Sequence, residues 1–384
     1  MGIEFITSFI IQVLVFLFIL SILVLVHELG HFLTARLFGI RVDEFGFGLP
    51  PRIWGKKIGE TVYSINALPI GGFVKLFGEE GEAENPKSEI RNPKVREHAF
   101  YARPWWQRSL VLIAGVSMNF LLAVVVLSIL LAIGTVVSGS RIHIGNIAAN
   151  SPAEQANLQK NDVIVALNAE TISKSEQLVD LSRKHLGEEV TLTISRGMDF
   201  SKPVRDTCQS CNIFSLKLTP RKDAPAGEGP LGITISDFEE RKYAWYEAPF
   251  YGFREALVRS RDLVVGLAQL FAKLIAFEDV RREVAGPIGI FQVTGEVMKY
   301  GGSALLTLLT HLSLTLAFIN ILPFPALDGG RLLFVAIEAV TGKRVHAHHE
   351  RALHQIGMIV LLFLILMITI NDIARLVHHN SPSR

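Results

Sequence analysis

Residues 5–31, FITSFIIQVLVFLFILSILVLVHELGH, indicate the fold class most directly. The first part, residues 5–26, contains no Asp, Glu, Lys or Arg over 22 positions. About 20 apolar helical residues cross the hydrocarbon core of a bilayer, so this run predicts a transmembrane helix. A cleaved signal peptide is the alternative. The preceding tail has Glu4 and no basic residue, the run is too long, and no small-residue cleavage site follows, so we expect a retained helix.

The helix leads directly into HELGH at residues 27–31, an HExxH pattern. Positions i and i+4 share one helix face, so the imidazoles of His27 and His31 can bind one cation, and Glu28 lies beside the open coordination position. A carboxylate at membrane depth costs about 2.5 kcal/mol or more, which a divalent metal can offset. The alternative is an interfacial helix end with snorkelling polar side chains. The pattern favours a metal site.

A third metal ligand has to come from a distant part of the sequence. A catalytic zinc site usually has three protein ligands, and residues 32–38 offer only Arg36. The strongest candidate is Asp328 in NILPFPALDGGR, residues 320–331. Two prolines interrupt this apolar run, and non-helical backbone at membrane depth is tolerated only where protein or a wet cavity surrounds it. Asp328 as the cap of a helix end is the alternative.

Three further runs reach membrane-spanning length without charged residues: 109–140, with 110–137 as its apolar part, 301–327 and 352–371. Hydrophobic residues make up 49% of the chain and charged residues 19%, and the mean hydropathy is +0.36. This composition argues against a soluble enzyme and against disorder. The net charge of +2 argues against a polybasic nucleic-acid binder. The sequence therefore predicts a polytopic α-helical membrane protein with four transmembrane helices.

The distribution of Lys and Arg predicts the orientation, because cytoplasmic loops are enriched in these residues. Residues 32–108 contain 12 of them and residues 328–351 contain four, whereas the tail before the first run contains none. Both basic loops are therefore expected in the cytoplasm, with both termini and residues 141–300 outside it. The HExxH motif then lies near the cytoplasmic side of an inner membrane.

Two folded regions are expected between the apolar runs. Residues 42–75 alternate apolar and polar positions between Gly and Pro residues, which predicts a membrane-associated β-hairpin region. Residues 141–237 contain several strand patterns and a helix start at Ser151-Pro152, which predicts one inserted α+β domain outside the cytoplasm.

The rest of the chain is divided by these insertions. Residues 1–140 and 301–384 form the two halves of the membrane core. Residues 238–300 form an extracytoplasmic linker with an apolar stripe of helical period at 255–277. This amphipathic helix either lies on membrane lipid or packs on its neighbours.

The motifs resemble those of the site-2 protease family of intramembrane zinc metalloproteases. The resemblance rests on HELGH in the first apolar run, N-x-x-P-x-P-x-L-D-G in the third and a domain inserted between them, and it covers nearly the whole chain. GGFVK at 71–75, Asn119-Phe120 and GPIG at 286–289 support it, as does Asn371-Asp372. The pattern is closest to the bacterial branch of the family that regulates sigma-E.

The resemblance implies roles for individual residues. It implies that His27, His31 and Asp328 bind one Zn²⁺ and that Glu28 is the catalytic base. It also implies that an extended substrate is held by five residues: Asn320, Gly71, Gly72, Phe73 and Lys75. The implied substrates are single-span membrane proteins, such as pre-trimmed anti-sigma factors or remnant signal peptides.

The inserted domain departs from enterobacterial members of that branch, which carry two PDZ modules in tandem. Residues 141–237 have room for one module. A segment within them resembles a PDZ carboxylate-binding loop, whose backbone N–H groups capture a peptide terminus: Gly229, Leu231, Gly232 and Ile233. We therefore expect one PDZ-like domain with a peptide end as its partner.

Two other groups of residues receive simpler interpretations. Cys208 and Cys211 are expected to form a local disulfide outside the cytoplasm, with free thiols as the alternative. Four histidines in a basic segment look like a metal cluster but are expected to form a solvated face: His346, His348, His349 and His354.

The predicted function is an intramembrane zinc endopeptidase. A metal-binding membrane chaperone or receptor is the first alternative, and Glu28 argues against it because a purely structural metal site does not need that carboxylate. A zinc-dependent transporter is the second alternative. It would need polar residues along several helices, and the second apolar run has almost none.

Overall fold

The computed structural model describes residues 2–79, 96–172, 174–197, 212–225, 228–280 and 283–379. Its helices are α1 (Gly2–Leu37), α2 (Trp105–Ile133), α3 (Pro152–Gln155), α4 (Ser175–Lys184), α5 (Ala248–Ile275), α6 (Pro287–Met298), α7 (Gly302–Ile321), α8 (Asp328–Thr341) and α9 (Ala347–His379). Its strands are β1 (Val42–Ile58), β2 (Thr61–Leu76), β3 (Thr135–Ile147), β4 (Val163–Leu167), β5 (Glu170–Thr171), β6 (Val190–Arg196), β7 (Asn212–Leu218) and β8 (Ile233–Arg241). Cys208 and Cys211 lie outside the described residues, so their pairing stays a prediction.

Four helices in these ranges are long and apolar enough to cross a membrane: Ile6–Leu37, Trp105–Ile133, Gly302–Ile321 and His348–Leu376. This number confirms the sequence prediction. The first helix does not end at the HExxH motif but continues to Leu37, so the motif lies inside a regular helix. Its two histidines therefore share one helix face.

The apolar part of the second run was predicted to stay helical to residue 137, which is wrong. Helix α2 ends at Ile133, and Gly134 follows with φ of 98°. From Thr135 the chain forms β3, because the β-branched residues after the glycine fit a strand and pair with β8.

The third apolar run covers residues 301–327, and its helix is shorter than the run, as the two prolines predict. Helix α7 ends at Ile321, before Pro323 and Pro325, and α8 begins at Asp328. Leu327 is the N-cap of α8, so Asp328 occupies the first helical position and does not cap the helix. The prolines end α7 because they cannot donate to its hydrogen-bond ladder. Asp328 is thereby left at the start of a new helix.

The first sheet consists of β1 and β2, which bend so that each contributes two segments. Residues 44–47 lie between residues 62–65 and residues 72–75, and residues 52–58 pair with the far side of residues 62–65. Residues 72–75 thus form one edge of the sheet. A hydrophobic core beside this sheet joins the start of β1 and the end of β2, which pair with each other, to helices α1, α2 and α8. Its buried residues are Ala35, Ile40, Val42, Leu76, Phe100, Val111, Leu112 and Val335.

The chain divides into two compact units, one formed by Met1–Ile129 with Pro249–Arg384 and the other by Leu130–Ala248. The second unit holds a sheet in the order β7-β6-β4-β3-β8, with β5 paired to β4. The Ser151 hydroxyl accepts from the Glu154 N–H at 3.2 Å, so the predicted cap of α3 is present. Strand β8 is at the edge of the sheet, and α4 packs beside it.

The amphipathic segment forms α5, which is longer than residues 255–277 at its N-terminal end. There the ring of Phe253 meets Phe120 of α2 at 6.0 Å, and Gly252 lies against Ser128. Farther along, Phe271, Leu274 and other apolar side chains are exposed. The beginning of α5 therefore packs on a neighbouring helix, and a lipid contact of its later turns remains a prediction.

Candidate metal centre

His27 and His31 lie one turn apart on α1 and point to one side of it, toward the start of α8. The Nε2 atom of His27 is 2.9 Å from Asp328 Oδ2, and the Nε2 atom of His31 is 3.4 Å from the same oxygen. The two Nε2 atoms are 3.2 Å apart. Both imidazoles are buried, at 6% and 8% exposure. Three potential ligand atoms from two distant parts of the chain therefore converge in a protected place.

These three atoms fit a tetrahedral zinc ion. Ligand atoms about 2.1 Å from a tetrahedral zinc lie about 3.4 Å from one another, close to the separations found here. Two imidazoles and one carboxylate form a donor set that catalytic zinc sites use. A zinc ligand has to be deprotonated, so Asp328 would bind the ion as a carboxylate.

The histidine rings fit because two helices approach closely at glycines. A Cβ on Gly30 of α1 would overlap the carbonyl oxygen of Ala114 in α2, and a Cβ on Gly115 would overlap the rings of His31 and His27. Any larger side chain at either position would push α1 and α2 apart or displace the imidazoles. The glycines therefore allow the two rings to pack against α2.

The outer nitrogens of both rings meet groups on α2. The Nδ1 atom of His31 is 2.8 Å from the Val111 carbonyl oxygen, which accepts a hydrogen bond from the ring N–H. The Nδ1 atom of His27 is 3.2 Å from the Asn119 amide, whose Oδ1 is buried without a partner among the described residues. Turning that amide over lets Oδ1 accept the His27 N–H. Both Nε2 atoms are then left unprotonated to bind a metal.

Glu28 lies next to this cluster but faces the edge of the first sheet. Its Oε2 accepts the backbone N–H of Val74 at 3.0 Å. Val74 belongs to the edge segment of β2, so the sheet edge and the carboxylate lie side by side. Glu28 is not among the three converging ligand groups, and its carboxylate can therefore act on a molecule bound beside them.

The residues expected to hold substrate do not all occupy equivalent places. Asn320 is at the site, with its amide nitrogen 3.3 Å from His27 Nε2. Gly71 and Gly72 face Val24 of α1, and Gly72 also lies against the Gly46 carbonyl. The edge segment of β2 therefore runs beside α1, from Val24 to Glu28 of the HExxH motif. The Phe73 ring lies over Gly46 of the neighbouring strand, whereas the Lys75 side chain is exposed.

The loop that carries Asp328 is held by a residue assigned to the solvated face. His354 of α9 is half-buried, and its Nδ1 accepts the Ala326 N–H at 2.9 Å. The interpretation as a solvated face is therefore wrong for His354. No pattern in its own segment indicates that the imidazole accepts a backbone N–H from a different loop. The other three are exposed, as expected: His346, His348 and His349.

The predicted peptide-binding loop of the second unit forms a tight turn before β8. The Gly232 N–H donates to the Gly229 carbonyl at 3.0 Å, and the Leu231 carbonyl accepts the Ala153 N–H at 3.2 Å. Gly232 has φ of 69° and lies against Ser151, which leaves no room for a side chain. Ile233 then begins β8, so the loop leads directly into the edge strand beside α4.

Comparison with known proteins gives a consistent result along most of the chain. Residues 15–364 match the model of Peptidase family M50. A Fusobacterium nucleatum relative with a zinc-metalloprotease name is 35% identical over 366 residues, 93% of this chain and 97% of the relative. The zinc metalloprotease RasP of Bacillus licheniformis is 30% identical over 434 residues, 95% of this chain and 99% of the relative.

A more distant relative adds a named role. The regulator of sigma-W protease RasP of Bacillus subtilis is 27% identical over 438 residues, which cover 96% of this chain and 99% of that protein. The family match spans both the HExxH helix and the loop before α8. The chain thus belongs to peptidase family M50, the site-2 protease family, and is a zinc metalloprotease.

Proposed function

We propose that this zinc metalloprotease cuts the transmembrane segments of single-span membrane proteins. The observation that carries the proposal is the position of the site. His27 and His31 lie within the apolar stretch Ile6–Leu37 of α1, and Asp328 meets them from the start of α8. A peptide bond can reach such a site from within the bilayer. A single-span protein crosses the bilayer as one separate helix, which can approach such a site.

In the proposed site His27, His31 and Asp328 hold one Zn²⁺. A zinc ion held there would supply a Lewis acid for the scissile carbonyl and would lower the pKa of a bound water to about 7. Glu28 takes the proton of the attacking water and passes it to the leaving nitrogen. Asn119 and the Val111 carbonyl orient the two imidazoles through their Nδ1 atoms.

Cleavage also needs an unwound substrate, because a transmembrane helix hides its carbonyls in its own hydrogen bonds. The edge segment of β2, with Gly71, Gly72, Phe73 and Lys75, is proposed to bind the unwound stretch as an added strand. Support comes from its position at the sheet edge and from the contact between Val74 and Glu28. Asn320, beside His27, is proposed to hold the substrate backbone near the scissile bond.

The proposed location is the bacterial inner membrane, with the site near the cytoplasmic side. The support is the Lys and Arg count in residues 32–108 and 328–351. Both termini and residues 141–300 are then outside the cytoplasm. The exposed apolar residues of α5 are proposed to contact membrane lipid there.

The second unit is proposed to be a single PDZ-like module that binds a peptide terminus. The loop with Gly229, Leu231, Gly232 and Ile233 leads into β8, an edge strand with α4 beside it. An extended peptide could add to such an edge with its end at the loop. Pre-trimmed anti-sigma factors are proposed as substrates, in line with a relative named for the regulation of sigma-W, and remnant signal peptides fit the same chemistry.

The proposal is tested by replacing the base without disturbing the metal. Membranes from cells with the wild type and with Glu28→Gln are compared by quantitative proteomics. We expect single-span fragments to accumulate at least about tenfold in the variant, because general-base catalysis contributes about 100-fold or more to the rate. Unchanged levels of every single-span fragment would contradict the proposed substrate class.

Metal analysis of the purified proteins is the matched control. We expect Glu28→Gln to keep about one zinc per chain, whereas His27→Ala, His31→Ala and Asp328→Ala each lose most of it. Full zinc content in Asp328→Ala would show that a different residue supplies the third ligand.

A further inference from the structure

The edge of the first sheet presents a backbone donor that the chain itself already uses. In the antiparallel pairing of residues 44–47 with residues 72–75, Phe45 is opposite Val74 and Gly46 is opposite Phe73. Successive residues of such a pair alternately direct their N–H and C=O groups toward the partner strand and away from it. The Val74 N–H donates to Glu28 and so points away from β1, toward the open edge.

The group that occupies this donor is the carboxylate assigned above as catalytic base. Glu28 Oε2 lies 3.0 Å from the Val74 nitrogen, in the place where an added strand would put a carbonyl oxygen. A charged acceptor binds an N–H more strongly than a neutral carbonyl does. A substrate strand that pairs here must therefore displace Glu28.

A second carboxylate accepts a hydrogen bond from the next backbone N–H along the edge. The Leu76 N–H donates to Glu79 Oε2 at 3.3 Å, and Glu79 also pairs with Arg331, three residues after Asp328. Within the described residues, both of these β2 donors are thus held by glutamates. These two positions of the edge are occupied before any substrate arrives, which also protects them from unwanted strand pairing.

We propose that substrate binding and release of the catalytic base are one exchange. The carbonyl of an incoming substrate strand replaces Glu28 Oε2 as the acceptor of the Val74 N–H. Glu28 loses this backbone partner at the moment when the scissile bond is beside the site, and its carboxylate becomes available to take the proton of the attacking water. The inference rests on the proposed function, since it assumes that substrate adds to this edge.

The exchange makes Val74 a positioning residue that acts through its backbone N–H. It also predicts an effect on substrate binding that can be measured in inactive variants. Removal of the Glu28 acceptor should make the edge easier for a strand to occupy. Glu28→Gln retains an oxygen that can accept the Val74 N–H, whereas Glu28→Ala has none. Both variants lack the base and leave the three proposed ligands intact, so binding can be measured without cleavage.

Two measurements on the full-length chain in detergent test the inference. Hydrogen exchange of the Val74 amide is measured first, without substrate, and we expect it at least about fivefold faster in Glu28→Ala than in Glu28→Gln. Crosslinking is then measured from Lys75→Cys, in a background with Cys208 and Cys211 changed to Ser. The probe is a synthetic single-span helix of about 20 apolar residues with a central Asn-Pro and one cysteine. We expect half-maximal crosslinking at an about fivefold lower probe concentration in Glu28→Ala.

The outcomes separate the inference from the proposed function. Equal Val74 exchange and equal crosslinking in the two variants would overturn the exchange of acceptors and leave strand addition intact. Absence of crosslinking in both zinc-loaded variants would overturn strand addition at this edge and the inference with it. Zinc content of both variants is measured in parallel, so that a loss of the site is recognised.

Discussion

At the scale of single residues, the metal centre depends on the absence of side chains as much as on its ligands. Gly115 lies against the His27 and His31 rings, and Gly30 lies against the Ala114 carbonyl. Neither glycine can bind a metal, yet each decides how closely α1 and α2 approach. The ligand geometry is therefore set by packing between two helices.

Gly115→Ala should lower zinc affinity without removal of any ligand. The added methyl group would overlap the ring of His31, so the imidazole must move or the helices must separate. We expect a loss of about tenfold or more in zinc affinity, the size seen when groups that orient a ligand are removed. Competition with a chelator measures it.

Gly266→Ala is the matched control for this substitution. Gly266 is also helical, on α5, and no atom of the described residues lies within 4 Å of the position that its Cβ would take. We expect zinc affinity to be unchanged there. Wild-type affinity in Gly115→Ala would show that the rings tolerate the methyl group and that the close approach is not needed.

At the scale of elements, α8 is anchored at both ends. Its first residue, Asp328, meets the histidines, and Glu338 near its last turn pairs with Arg108 of α2 at 2.6 Å and with Arg344 at 3.0 Å. Burial raises the pKa of the Glu338 carboxyl, but hydrogen bonds from Arg108 and Arg344 outweigh it and hold the pKa below its usual value. The carboxylate thus stabilises the fold where it is ionised.

Arg108→Met should destabilise the protein in a pH-dependent way. Because the Glu338 pKa is lower in the folded state, its contribution is present above the unfolded value of about 4.3 and is lost as the pH falls through the folded value. We expect the variant to be less stable by about 2 kcal/mol at pH 7, the size of a hydrogen bond to a charged group. The difference should shrink below about pH 4. Thermal unfolding in detergent at several pH values measures it, and an equal difference at every pH would contradict the assignment.

At the scale of the whole molecule, the chain consists of a membrane unit with the metal centre and a sheet unit inserted in it. All proposed chemistry lies in the membrane unit, on α1, α7 and α8. We therefore expect the inserted unit to sort substrates, so that proteins with large extracytoplasmic domains are excluded and trimmed ones are admitted. Strands β3 and β8 make this testable, because Ser138 pairs with Phe238 and Thr135 pairs with Arg241.

Deletion of residues 141–237 should retain cleavage of a trimmed substrate and allow cleavage of an untrimmed one. The deletion leaves residues 135–138 paired with residues 238–241, and Gly139-Ser140 remains as a two-residue connection suited to a hairpin turn. Cleavage of both substrate forms is measured in cells. A stable, zinc-loaded deletion that cuts neither form would show that the unit is needed for catalysis.

Reporter fusions test the orientation on which this sorting role depends. A fusion near Lys222 should report an extracytoplasmic position, and fusions near Glu80 or Lys343 a cytoplasmic one, because Lys and Arg are concentrated in the loops expected inside. A cytoplasmic Lys222 fusion would invert the proposed topology.

The features that depend on local periodicity follow from the amino-acid sequence alone. Uninterrupted apolar runs predict membrane helices because burial in lipid requires about 20 such residues in a row. HELGH predicts two ligands on one face because helical geometry relates positions 27 and 31 directly. Pro323 and Pro325 predict a break before Asp328 because proline cannot continue the helix. The helix ends do not follow from this periodicity, since a glycine and a distant strand partner end α2 early.

The contacts between distant groups are visible only in the folded structure. The Val74 N–H, the Asn119 amide and the His354 ring reach the site through contacts 46, 92 and 28 residues apart in the chain. No local pattern predicts such partners, because they depend on how helices and a sheet edge pack. The proposed coupling between substrate binding and Glu28 is of this kind: a backbone N–H has no sequence signature, and its role follows only from what lies opposite it.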